Sequence, residues 1–282
     1  MMLRLTRLVA VAVMVVLTLG LGASAAEAAE GDRSLVPASK LRDKPFKSIA
    51  LVTVGDRVVC TGFVVSPRKV VTAAHCLVRN AAKGDYRLKY GLPGRLRVYR
   101  AYSRIAGGAT YGSCAVAKVW AHGKFVKAGS GDRLFGSRAH DYAVLKVTRG
   151  CEFPTGAIMR MWGTEKGDGR LPANKLVRSA GYPADPRWAD MTGLNMWRTE
   201  GRTKAVNADP RLLFFTGFIA NGWSGGPVWR TFKRDSPCGK AQCVVGIVTE
   251  CAINGKGLCK KGLSERVAVR ITPTVRDIIK SK

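Results

Sequence analysis

From Ile49 onward the apolar residues come in short bursts, not in helical periods. The runs "SIALVTV", "RVVCTGFVV", "KVVTAA", "RLRVYRAY", "CAVAKVWA", "YAVLKV", "KLVRSAGYP", "LLFFTGFIA", "GPVWR", "CVVGIVTE" and "RVAVRIT" are rich in β-branched and aromatic residues, and Gly, Pro, Asn and Asp divide them. Each run predicts a strand, eleven in all. Helix is expected in "TPTVRDIIKSK", where Thr272 can cap the first turn ahead of Pro273, and in the stretch after His75. Many short strands without strand–helix alternation predict an all-β protein. Eleven or twelve strands over about 235 residues fit two packed six-stranded antiparallel β-barrels with a short C-terminal helix better than one large barrel. The expected division is an N-terminal arm or short pro-segment at 29–46, an N-terminal barrel at 47–150, and a C-terminal barrel with the terminal helix at 151–282.

The first residues follow a different logic. Arg4 and Arg7 precede an apolar run from Leu8 to Leu21, and small residues continue through Ala29. That run is short for a bilayer span, and both Ala23-Ser24-Ala25 and Ala26-Glu27-Ala28 offer cleavage sites, so residues 1–28 are expected to be a secretory signal peptide and not a retained anchor. The mature protein is then secreted, extracellular or periplasmic, with no transmembrane span. All eight cysteines lie beyond the signal, as suits an oxidising compartment, but eight cysteines allow 105 pairings. No C-x-x-C, H-E-x-x-H or Ca-loop pattern is present and the three histidines are far apart, so neither a metal nor a cofactor is expected.

Charge adds a possible partner. The chain carries 47 basic and 19 acidic side chains, and removing Arg4, Arg7 and Glu27 with the signal leaves 45 against 18, a net +27. Such a surface draws polyanionic material at low salt. The basic residues are scattered and no nucleic-acid-binding motif accompanies them, so specific nucleic-acid readout is not expected. A monomer is.

The chemistry concentrates in "NGWSGGPVW", residues 221–229, whose core fits G-x-S-x-G. An α/β-hydrolase needs its histidine after the serine, and no histidine follows Ser224, which removes that architecture. The partner must lie upstream. His75 stands in "VVTAAHC" where an apolar strand ends in small residues, and Asp141 in "HDYAVLKV" sits at the mouth of an apolar strand. The order His75, Asp141, Ser224 is that of the chymotrypsin triad.

On "TAAHC", "DYAVLKV", "GYP" (181–183), "GWSGGPV", "GIVT" (246–249) and the closing helix, residues 45–279 resemble the trypsin/chymotrypsin-like secreted serine proteases, nearest in texture to bacterial glutamyl-endopeptidase-like members. The resemblance implies a chymotrypsin-like pair of barrels and endopeptidase activity on protein or peptide substrates. Ser224 would be the nucleophile, His75 the base, Asp141 the residue that orients it, and the Gly222 and Ser224 N–H groups the oxyanion hole. It also implies a Cys60–Cys76 disulfide beside His75. Cys238–Cys243, Cys251–Cys259 and Cys114–Cys151 are pairings by proximity or elimination.

The chain departs from the family in instructive places. Trypsin-type enzymes carry an aspartate before the serine, which captures a freed amine on activation; Trp223 stands there. The residue six before the serine is Phe218, not trypsin's aspartate, and Val248 stands where glutamyl endopeptidases carry histidine. Neither a basic nor an acidic preference at P1, the substrate residue before the scissile bond, follows from those positions. Thr249, Glu250 and Cys251 are expected to edge the specificity pocket with Phe218. The alternative reading is a catalytically weak or inactive protease-like protein that binds polyanionic surfaces.

Overall fold

The computed structural model describes residues 33–78, 91, 93–127, 138–163, 171–186, 189–205, 209–232, 238, 241–251 and 266–282. The expected signal segment lies outside them. Among the described residues nine strands come before residue 150: β1 (Arg33–Leu35), β2 (Ile49–Val54), β3 (Arg57–Ser66), β4 (Lys69–Thr72), β5 (Leu96–Arg100), β6 (Tyr102–Ser103), β7 (Gly108–Ala109), β8 (Ser113–Ala121) and β9 (Ala143–Val147). Seven follow: β10 (Arg160–Met161), β11 (Leu176–Gly181), β12 (Trp197–Arg202), β13 (Leu212–Phe215), β14 (Pro227–Thr231), β15 (Gln242–Cys251) and β16 (Arg266–Arg270).

Strands β2, β3, β4, β9, β8 and β5 close into a six-stranded antiparallel barrel. A second antiparallel path runs β12-β11-β14-β15-β16-β13. A bridge between Thr203 and Phe215, with Thr216 N–H donating to Arg202 O and Lys204 N–H to Phe214 O, joins its ends into a second ring of six. Strand β1 adds to the outside of β12, and β10 pairs parallel with β15.

The apolar runs are continuous because both strand faces are buried. In β2, Ala50 and Val52 fill the first barrel while Ile49 and Leu51 point outward into the layer between the barrels. In β14 the same alternation sends Val228 into the second barrel and Trp229 into the shared layer, where Tyr142, Tyr182, Val244, Val275 and Ile279 also lie. Each fully buried Leu, Ile or Phe contributes roughly 1.5–3 kcal/mol. The C-terminal helix Pro273–Ser281 begins as anticipated, with Val275 N–H donating to Thr272 Oγ1 at 3.2 Å.

One expectation is corrected. "LLFFTGFIA" is a strand only through Phe215, after which Phe218, Ile219 and Ala220 are buried as an irregular segment leading to Ser224. His75 itself lies in a 3-10 turn, Ala74–Cys76, and the helix expected after it falls mostly on residues 79–90, outside those described. Strand β12, "WRTEGR", is not among the expected strands; all six of its residues pair with Leu176–Gly181 of β11, and Thr199 is buried.

Candidate active site

Strand register explains why His75 meets Asp141. Strands β4 and β9 are antiparallel with Thr72 opposite Ala143, so the residues just after Thr72 lie against those just before Ala143. The Ala74–Cys76 turn there carries His75, and the Arg138–His140 turn delivers Asp141. Asp141 is buried and holds His75 twice: Oδ1 accepts the His75 backbone N–H at 2.8 Å, and Oδ2 lies 2.6 Å from Nδ1. With a proton on Nδ1 held in that second bond, Nε2 keeps its lone pair. A Cys60–Cys76 disulfide ties the turn to β3. Cys60, His75 and Cys76 place their ligand atoms within 4.8 Å of one another, but the sulfurs are bonded to each other and are not thiolate ligands.

Ser224 stands on a turn before β14. Trp223 N–H donates to Ala220 O, Gly226 N–H to Trp223 O and Gly225 N–H to Val248 O. Ser224 Oγ donates to Thr249 O at 3.3 Å. Among the described residues neither the Gly222 nor the Ser224 N–H is taken by a protein acceptor. Gly222 has φ +86°, and a Cβ there would fall 2.4 Å from Tyr182 O, so only glycine fits. At Gly225 a Cβ would fall 2.2 Å from Thr72 Oγ1 and 2.7 Å from Ala73 N, which shows how closely this turn abuts the chain leading to His75.

Thr61 on β3 fastens the two barrels at this point, and nothing in "VVCTGFVV" distinguished it. Its N–H donates to Ser224 O at 2.9 Å, and its Oγ1 donates to Gly222 O at 2.8 Å while accepting from Tyr182 N–H. Thr72 Oγ1 in turn donates to Thr61 O at 2.7 Å. One buried threonine, next to Cys60, thus grips the backbone on both sides of Trp223. Trp223 itself is fully buried, and its indole N–H donates to Ser179 Oγ at 2.9 Å. A neutral contact anchors the turn where trypsin-type enzymes have a carboxylate.

Phe218 is buried, its ring edge-on to Trp223 at 6.0 Å, with the Arg33 guanidinium 4.5 Å from its centroid. Thr249 is buried too, donating from Oγ1 to Val267 O. The side chains of Glu250 and Cys251, and all of Cys259, lie outside what is described. Disulfides also join Cys114 to Cys151 and Cys238 to Cys243.

Next to Asp141, His140 stacks on His122 with ring centroids 4.4 Å apart and planes 14° from parallel. Lys124 N–H donates to His122 Nδ1, and Arg211, itself paired to Asp209, lies 3.1 Å from His140 Nε2. Burial, followed by His122, Arg211 and Lys124, pushes His140 down from 6.5 to about 4, with Asp209 opposing; burial and Lys124 also lower His122. Folded protein therefore refuses protons that the unfolded chain accepts below about 6.5. Stability should fall as pH drops from about 6.5 towards 4, with no contribution from this pair at higher pH. Melting temperatures across that window should decline less steeply in His140→Gln, and parallel curves would contradict this.

The model of the trypsin-like peptidase domain matches residues 60–233. The chain belongs to the trypsin-like peptidase family. Its fold is that of a chymotrypsin-type serine protease, and solved structures of the fold agree. A Glu endopeptidase, solved in complex with MPD, superposes with a TM-score of 0.63 at 20% identity, over 89% of this chain and 96% of the other. A mutant of human heparin binding protein gives 0.60 at 15% identity, over 89% and 95%. No curated protein sequence matches the chain closely enough to count as a relative. No helix among the described residues is long and apolar enough to cross a membrane.

Proposed function

We propose that this family member is a secreted serine endopeptidase. Ser224 Oγ attacks the scissile carbonyl as His75 Nε2 takes its proton, and the tetrahedral oxyanion is received by the Gly222 and Ser224 N–H groups. Collapse expels the amine, which takes the proton from His75, and water then hydrolyses the acyl-enzyme by the same sequence. These groups need no cofactor to do so. The observation that carries the reading is the double hold of Asp141 on His75, at 2.8 and 2.6 Å, because it fixes both the ring and its tautomer. Export with removal of residues 1–28, an arm at 29–46 and barrels at 47–150 and 151–282 belong to the same proposal. The disulfides favour an oxidising compartment. A fluorophosphonate should label Ser224 in folded, oxidised protein. Failure to label, together with failure to hydrolyse any member of a peptide library, would refute this function.

A second reading, polyanion binding, has an observation of its own and is compatible with the first. Lys69 pairs with Lys146 across β4 and β9, and Lys146 with Lys118 across β9 and β8, giving a lysine row over three adjacent strands. None of these strands contains an acidic residue. Strand spacing sets the row at about 5 Å intervals, and like charges facing each other cost stability unless an anion lies over them. Burial, and then Lys146, lower the pKa of Lys69. Changing Lys69, Lys118 and Lys146 together to Gln should move elution from a heparin column to lower salt, leaving hydrolysis of a short peptide unchanged. Unaltered elution would remove this reading.

A further inference from the structure

The sequence offered no P1 preference; strand register does. Arg266 opens β16, where it lies opposite Phe215 of β13 and Cys251 of β15. Cross-strand partners project to the same face. Phe215 belongs to the apolar interior of the second barrel, together with Phe218, Trp223 and Ala268, so Arg266 enters that interior. It is buried there, 4% exposed. Arg33 comes from β1, at the other end of the strand order. It pairs with Thr199 on β12, Thr199 Oγ1 accepts the Phe218 N–H at 2.9 Å, and the Arg33 guanidinium lies over the Phe218 ring.

Both arginines are linked to the Ser224 turn through intermediate residues. Trp223, the neighbour of Ser224, meets the Phe218 ring. Thr249, whose carbonyl accepts from Ser224 Oγ, donates to the carbonyl of Val267, the residue after Arg266. Strands β13 and β16 contain no acidic side chain; β15, which also pairs with β16, carries Glu250 opposite Val267, and the one in β12, Glu200, is exposed and paired with Arg178. Guanidinium groups stay protonated at any working pH, and low-dielectric walls concentrate their field.

We propose that the specificity pocket beside Ser224 takes acidic side chains, with Arg266 and Arg33 supplying the positive field that receives the P1 carboxylate. This rests on Ser224 being the nucleophile. A carboxylate gains charge-assisted, planar hydrogen bonds from a guanidinium, and an uncharged amide of the same shape forfeits most of that gain.

The test compares peptides that differ only at P1, with fluorophosphonate labelling of Ser224 as an independent gauge of a formed site. Peptides with P1 Glu or Asp should exceed their Gln and Asn counterparts in kcat/KM by about 100-fold or more. Arg266→Gln should reduce that ratio at least about tenfold while Ser224 still labels, and Arg266→Lys should restore part of it. If Arg266→Gln does not label, the ratio is read in Arg266→Lys and Arg33→Gln, each of which must lower it. Preference for Lys, Arg or apolar P1 in labelled, active protein would overturn the pocket and leave the serine endopeptidase intact. An acidic preference unmoved by all three variants would also overturn it. Absence of both labelling and hydrolysis would bring down the underlying function and the pocket with it.

Discussion

Ser224→Ala should lower kcat/KM on peptides by roughly a million-fold, the scale set by removing the nucleophile from a serine-protease triad, while the fold hardly responds. The two consequences separate because the hydroxyl does little structural work. Among the described residues it makes one hydrogen bond, a 3.3 Å donation to Thr249 O, a bond of that kind contributing about 1 kcal/mol. The turn is held by other atoms: Thr61 on the Ser224 and Gly222 carbonyls, Trp223 on Ser179, and Gly225 on Val248. The alanine variant should therefore melt within a few degrees of the parent and still bind peptide. Hydrolysis rates and melting curves on one preparation check both halves. Activity within tenfold of the parent would show that another group performs the attack.

Much of this arrangement was legible in the sequence, for a physical reason. Strands buried on both faces must be apolar without interruption, so β2, β9 and β15 stood out, and the segments around His75, Asp141 and Ser224 carry the small residues that tight packing demands. Pairing across long distances was not legible. Strand β12 has one buried residue in six and is held by ladders to β11 and β1, so its own composition reads as loop. Thr61 looks like any strand threonine until its partners Gly222 and Tyr182 are folded against it. Arg33 sits in a short polar arm, and Arg266 is a basic residue among many; only their register with Thr199 and Phe215 sets Arg33 over Phe218 and Arg266 beside Phe215. Likewise the stacked His122 and His140 come from different elements, and their shared position beside Asp141 appears only in three dimensions.

Asp141→Asn should reduce kcat about ten-thousand-fold with little change in KM, a magnitude taken from the same substitution in the serine-protease template. The change is nearly isosteric, so what it removes is charge and acceptor capacity at one atom. An asparagine carbonyl can still accept the His75 backbone N–H that Oδ1 now accepts at 2.8 Å, which keeps the turn in place. The atom replacing Oδ2 then becomes an NH2 group, 2.6 Å from Nδ1 in the present geometry. A donor facing Nδ1 makes that nitrogen an acceptor and moves the ring proton to Nε2, where the base is needed. The imidazolium formed during attack also loses the carboxylate that stabilises it. Fluorophosphonate labelling should slow in parallel with peptide hydrolysis, because both require His75 to accept the serine proton. A variant that keeps its melting temperature, labels at the parent rate and hydrolyses peptides normally would mean that Asp141 serves the Ala74–Cys76 turn alone. Equal losses in Asp141→Asn and Asp141→Ala, with both folded, would locate the effect in the missing negative charge and not in the reversed hydrogen bond.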